Sequence, residues 1–197
     1  MYEEALIKHS LATEAVIQAL ARRLGHDPEQ WGIAGLLHDL DYDATKGDPA
    51  RHTLVTEEIL RTQEVDEEII DAIKARNAEA LRRVREKPFH FAVTCAESIT
   101  GLIVATALAY PDKKISNIKP SSVLKRMKEK GFAQGVSRTG IRECEKLGPN
   151  LEEFAMLNLT ARQGGSISMD SLVYKVDGNG IFVYDWALNL ELYITSG

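Results

Sequence analysis

The 197-residue sequence predicts an all-α bundle of roughly eight helices, followed by a short β-rich C-terminal appendage. Three observations carry that expectation. Between residues 2 and 163, apolar side chains recur at helical spacing, punctuated by capping and stop signals. No segment before residue 165 reads as a credible strand. After Gly164-Gly165-Ser166, which has linker composition, the residues turn β-branched and aromatic. The expected division is therefore a helical domain over 1–163 and an appendage over 164–197.

Tyr2 to Leu24 reads as an amphipathic helix closed by Gly25, with an apolar stripe through Tyr2, Ala5, Leu6, Ala12, Val16, Leu20 and Leu24. His9 falls inside that stripe, as a hydrogen-bonded core residue or as a ligand. Asp27-Pro28-Glu29-Gln30 is a helix start, with Asp27 as N-cap, Pro28 at the first position and Gln30 placed to close a capping box. On the second helix Trp31, Ala34 and His38 share the inward face. Residues 41 to 49 read as a polar loop, and Pro49 opens a third helix on which His52, Val55 and Ile59 share a face. Asp66 caps a fourth, carrying Ile69, Ile70, Ile73 and Leu81.

Pro88 opens a helix whose only charge between Phe91 and Ala109 is Glu97. Its expected face is Val93, Glu97, Gly101, Val104 and Leu108. A carboxylate within an apolar stripe needs a proton, a cationic partner or a metal. Residues 112 to 130 are rich in lysine and arginine, as a solvated helix face or a phosphate-attracting rim. A helix around Arg138 to Leu147 stops at Gly148-Pro149. Asn150 caps a last one, with Glu153 completing a capping box. In the appendage, Leu172–Val176 and Ile181–Trp186 flank Asp177-Gly178-Asn179-Gly180 as a hairpin, and the alternation from Leu188 to Ile194 suggests a third strand.

Composition narrows the function. A formal net charge of −5 and a pI near 5.6 argue against a dedicated nucleic-acid binder. No uninterrupted apolar run reaches the roughly 20 residues of a membrane span, and the N-terminus lacks signal-peptide character. Cys95 and Cys144 stand in no metal or redox spacing and fit reduced, buried thiols of a cytoplasmic protein.

The chemistry concentrates in Ala34-Gly35-Leu36-Leu37-His38-Asp39-Leu40-Asp41-Tyr42-Asp43. Small residues let a neighbouring helix approach, and an imidazole and carboxylates follow. Adjacent helical residues diverge by about 100°, so His38 and Asp39 can share one ion only from its flank. Further ligands must come from elsewhere.

With His9, His38-Asp39 and Glu97 in that order, residues 1 to 163 resemble the HD superfamily of metal-dependent phosphohydrolases. Trp31 to Tyr42 is similar to the region around the second motif of small stand-alone members. Thr100-Gly101-Leu102, Pro111-Asp112-Lys113-Lys114 and Ser122-Val123-Leu124-Lys125 are similar to their later helices. The resemblance implies an HD-type helical bundle and one divalent ion held by His9, His38, Asp39 and the Glu97 position. Glu97 departs from the usual Asp. The ligand chemistry suits Mn, Fe, Co, Ni or Zn. Dinuclear members use two more histidines; His52 matches the first, whereas Arg76 stands at the second. Arginine binds no metal and always carries charge, so one ion is expected, with Arg76 as a phosphate clamp or a helix-end surface residue.

The expected function is a cytoplasmic phosphohydrolase acting on a small phosphorylated metabolite or nucleotide through a metal-activated water. Asp39 or Asp41 would take the proton, and His52 and Arg76 would face the phosphate. The alternative is a degenerate HD domain kept as a binding or signalling module. A di-iron oxygenase of the same fold is a third reading, and it needs the second metal site that Arg76 removes. Open strand edges would favour a homodimer through the C-terminal strands.

Overall fold

A computed structural model describes residues 4–112 and 114–164, together with strand segments 172–177, 180–185 and 190–195. Across 4–164 the secondary structure is helical. In chain order the α-helices are α1 (Glu4–Leu24), α2 (Pro28–Leu37), α3 (Tyr42–Thr45), α4 (Leu54–Thr62), α5 (Glu67–Arg76), α6 (Ala78–Leu81), α7 (Pro88–Leu108), α8 (Pro120–Lys128), α9 (Arg138–Arg142) and α10 (Leu151–Gly164). Two short 3-10 turns, Ile115–Asn117 and Glu143–Leu147, complete the helical part. The first residues of the expected N-terminal helix lie outside the described residues.

Helices α1 and α2 form the hairpin that carries the site. Asp27 is extended and accepts from Glu29 N at 2.9 Å, with Pro28 following it. Gln30 does not close a capping box; its amide instead donates to Glu68 at 3.2 Å and ties α2 to α5. The two helices touch backbone to backbone at Gly35, where a Cβ would lie 2.7 Å from Glu14 Cα. Val16, Ile17, Leu20 and Ala21 of α1 are buried together with Trp31, Ala34 and Leu37 of α2. Trp31 stacks on Phe89 of α7 at 4.8 Å and on His26 at 4.6 Å. That stack spans the joint between α2 and α7.

The segment between α2 and α5 departs from expectation. The expected loop holds the single-turn helix α3, and Pro49 opens no helix. Thr53 has φ +69°, a left-handed conformation costly for a β-branched residue, and α4 starts only after it. His52 therefore precedes the helix rather than sharing its face with Val55 and Ile59. The buried positions of α4 are Thr56 and Leu60, while Ile59 is exposed.

Helix α7 is the central element, packed against α1, α5, α8 and α9. Ala92, Ala96, Ile99 and Ile103 are fully buried at helical spacing. Of the stripe expected from the sequence, Val93 is fully buried, but the rest lies on a less buried side: Glu97, Gly101 and Val104 are half-buried and Leu108 is 62% exposed. The reason is that α7 is apolar nearly all round, so periodicity alone does not mark its inner face. Among the described residues α7 is the one helix long and apolar enough to cross a membrane, and 67% of its most apolar stretch is buried in the fold.

Asp66 caps α5 through Glu68 N, and Ile69, Ile70 and Ile73 are buried as expected; Leu81 belongs to the separate helix α6. The expected helix at 138–147 divides into α9 and a 3-10 turn, ending at Gly148 with φ +103°. Asn150 and Glu153 form the expected reciprocal box at 3.0 and 3.2 Å. Cys95 and Cys144 are free and buried, and burial pushes the Cys144 thiol up to about 12. The expected hairpin turn at Gly178-Asn179 and the segment 186–189 lie outside the described residues. The backbone of 172–177, 180–185 and 190–195 pairs antiparallel in chain order.

Candidate metal centre

His38 caps the C-terminus of α2, fully buried, and Asp39 follows in the next turn. His9 reaches them from α1 because the contact at Gly35 brings the two helices together. His9 Nε2 lies 3.2 Å from His38 Nε2. Asp39 Oδ2 is 3.4 Å from His38 Nε2 and 3.9 Å from His9 Nε2. One ligand atom from each of the three residues lies within 4.8 Å of the others.

The donor chemistry fits a cation. His38 Nδ1 is 2.7 Å from Gly35 O, and a carbonyl only accepts, so Nδ1 carries the proton. In the neutral ring Nε2 then presents a lone pair toward His9 and Asp39. A backbone carbonyl fixing the far nitrogen is how ligating histidines are oriented. Burial pushes the Asp39 carboxyl up, but Arg76, His38 and His52 override it and hold it well below the usual range. Asp39 is therefore ionised at neutral pH, although only 5% exposed. Its Oδ1 has no hydrogen-bond partner; Arg76 Nη2 stands 2.7 Å away as an ion pair without hydrogen-bond alignment.

A second group adjoins this cluster. Arg76, at the end of α5, has one terminal nitrogen against Asp39 and the other in contact with His52 Nε2. It is not a surface residue. His52 Nε2 also lies 3.4 Å from Asp39 Oδ1. On the other edge of the ring, Asp41 Oδ1 accepts from His52 Nδ1 at 2.8 Å, and Asp41 Oδ2 accepts from Thr56 N at 3.1 Å. Burial opposes ionisation of Asp41, and those bonds lower its pKa nevertheless. For His52, burial favours the neutral ring, whereas the adjoining Asp39 and Asp41 carboxylates raise its pKa. Asp41 thus caps α4 from a distance and orients His52. Both its oxygens are committed away from the His9–His38–Asp39 cluster.

Glu97 comes from α7 to the same Arg76 nitrogen that faces Asp39, 3.6 Å from Nη2, and accepts from Ser98 Oγ at 2.8 Å. The structure brings His9, His38 and Asp39 together. Glu97 shares Arg76 Nη2 with Asp39 and lies outside the three-residue cluster.

Sequence reasoning missed several supporting groups. Asn77 donates to His52 O at 2.9 Å and Pro49 O at 2.8 Å, pinning the segment before α4 to the end of α5. Its position next to Arg76 was the available signal. Thr94, Ser98 and Ser137 line a pocket of about 220 Å³ that shares His52, Arg76 and Glu97 with the site. They come from α7 and the N-cap of α9, and no sequence motif links them.

A family model described as HD domain matches residues 6–105, which hold His9, His38, Asp39, His52, Arg76 and Glu97. No curated protein and no solved structure matches the chain.

Proposed function

Because this chain belongs to the HD-domain family, we propose that it is a metal-dependent phosphohydrolase acting on a small phosphorylated molecule. One observation carries the proposal: His9, His38 and Asp39 converge on one point with the Arg76 guanidinium beside it. His9, His38 and Asp39 would hold one divalent ion, with Glu97 as the fourth ligand of the proposal. An ion held by those residues would supply Lewis acidity for activating water. Arg76 and His52 then face the phosphoryl oxygens, the guanidinium offering two N–H groups in a fixed plane. Asp39 would take the proton from the attacking water through Oδ1, the oxygen that is ion-paired with Arg76 at 2.7 Å. Asp41 holds His52 in its tautomer and orientation.

The alternative is an HD domain kept for binding or signalling, favoured by the place of Glu97 outside the ligand cluster. Metal content separates the two readings. Protein purified without chelators should carry about one ion per chain by elemental analysis and release phosphate from phosphate esters. The His38→Ala variant should do neither. Wild-type protein without stoichiometric metal overturns the hydrolase reading.

Two further proposals concern the whole chain. Residues 1–163 act as the catalytic unit, and 164–197 are an appendage through which two subunits pair. The compartment we propose is the cytoplasm, because Cys95 and Cys144 are free and buried rather than paired.

A further inference from the structure

The pocket beside the site restricts what can be attached to the phosphate. Its lining residues all carry a polar group: His52 supplies the one ring among them, and none is a purely aliphatic side chain. At one end stand His52, Arg76 and Glu97 of the candidate centre. Thr94, Ser98 and Ser137 bring hydroxyl groups to the lining, and Asn77, Glu79 and Arg85 complete it.

Two classes of phosphate ester fit such a wall badly. A nucleobase gains much of its binding from stacking on aromatic or guanidinium planes. The one ring here, His52, is only 14% exposed and is held at both nitrogens by Asp41 and Arg76, and both guanidinium groups are already held. Arg76 lies against Asp39 and His52. Arg85 is bound to Glu79, to Glu143 at 2.8 Å, and to Ala75 O at 2.9 Å. That second commitment also argues against a second phosphate. Arg85 is neutralised by two carboxylates, so the far end offers no free cation to a diphosphate or bisphosphate.

We propose that the substrate is the monophosphate of a small polyhydroxylated, non-aromatic molecule: a polyol phosphate or a sugar phosphate. Its phosphate sits at Arg76 and its hydroxyls exchange hydrogen bonds with Ser98, Ser137 and Thr94. Thr94 and Ser98 already donate, to His90 O and to Glu97, so their oxygens are left to accept from the ligand's hydroxyls, and a ligand without hydroxyls forgoes those bonds. The proposal rests on the phosphohydrolase reading for its phosphate site, and it is tested by binding as well as by turnover.

The experiment is calorimetric titration of the full-length, manganese-loaded protein with glucitol 6-phosphate, glucose 6-phosphate, fructose 1,6-bisphosphate, AMP and phenyl phosphate. Phosphate release from the same compounds is measured in parallel. The glucitol or glucose monophosphate should bind about tenfold tighter than AMP and phenyl phosphate. The bisphosphate should bind no tighter than the monophosphates. Ser98→Ala should shrink the preference over phenyl phosphate by about threefold or more. Tighter binding of AMP, a large gain for the bisphosphate, or equal binding of all five overturns the proposal. The wild-type ranking decides this even if Ser98→Ala folds poorly. Selective binding without phosphate release defeats the hydrolase reading and leaves the pocket assignment standing. Release with a preference for AMP does the reverse.

Discussion

Arg76 Nη2 stands 2.7 Å from Asp39 Oδ1 while its other terminal nitrogen touches His52 Nε2. A permanent cation is thereby fixed between the carboxylate of the His-Asp pair and the histidine that dinuclear relatives would use for a second ion. Neither partner is much exposed, and burial strengthens the coupling between them.

Asp39→Ala should remove bound metal and phosphate release together. It should also lower stability by about 3 kcal/mol, since it strips the closest counter-charge from a buried guanidinium. Helical circular dichroism at room temperature should stay nearly unchanged. Elemental analysis and thermal melts test this, and a variant that keeps its metal shows the ligand assignment to be wrong.

Arg76→His tests the second position. The new imidazole, with His52 and the free side of Asp39, should raise the metal count above one per chain. Loss of the guanidinium should weaken phosphate binding by about 1.5–3 kcal/mol, the range for hydrogen bonds to charged groups. Unchanged metal content together with unchanged phosphate affinity would remove Arg76 from the site.

Gly35→Ala should act at a distance. Its Cβ would meet the α1 backbone at 2.7 Å from Glu14 Cα, so α1 and α2 must separate. That separation moves His9 away from His38 and Asp39. The expected cost is about 1–3 kcal/mol in denaturant unfolding, accompanied by weaker metal binding. Wild-type metal affinity in this variant would mean that the hairpin does not set the ligand spacing.

Asp71 supplies a pH dependence away from the site. Burial raises its pKa, but Arg83, Lys87 and His90 hold the carboxyl well below its ordinary value. A depressed folded pKa means that the stabilisation is complete above the unfolded value near 3.9 and is lost as pH falls below it. Asp71→Asn should therefore be less stable than wild type by about 1–2 kcal/mol at pH 7. The gap should narrow between about pH 4 and pH 2. A constant gap over that range would show that its charge is not what stabilises the fold.

Truncation after Gln163 should leave metal binding and phosphate release intact, because every candidate ligand lies before it. If the C-terminal strands join two subunits, light scattering should show a mass falling by more than the residues removed. Loss of metal on truncation would place the tail in the site and move the domain boundary.

Much of the fold was legible because its signals are local. Asp27, Asp66 and Asn150 cap helices through backbone groups two or three residues away, and those spacings are written in the chain. The order of His9, His38-Asp39 and Glu97 likewise pointed to the family without any contact being known. The small residues ahead of His38 already announced a close helix neighbour. Tertiary packing decided the rest. The backbone conformation at Thr53 moved the start of α4 past His52, and Asp41 became its distant cap. An all-round apolar α7 left periodicity unable to say which side faces the core, so Glu97 proved to stand at a pocket edge beside Arg76. A sequence records which charges exist; which of them share a low-dielectric space depends on how helices distant in the chain are packed, and that packing set Arg76 against Asp39.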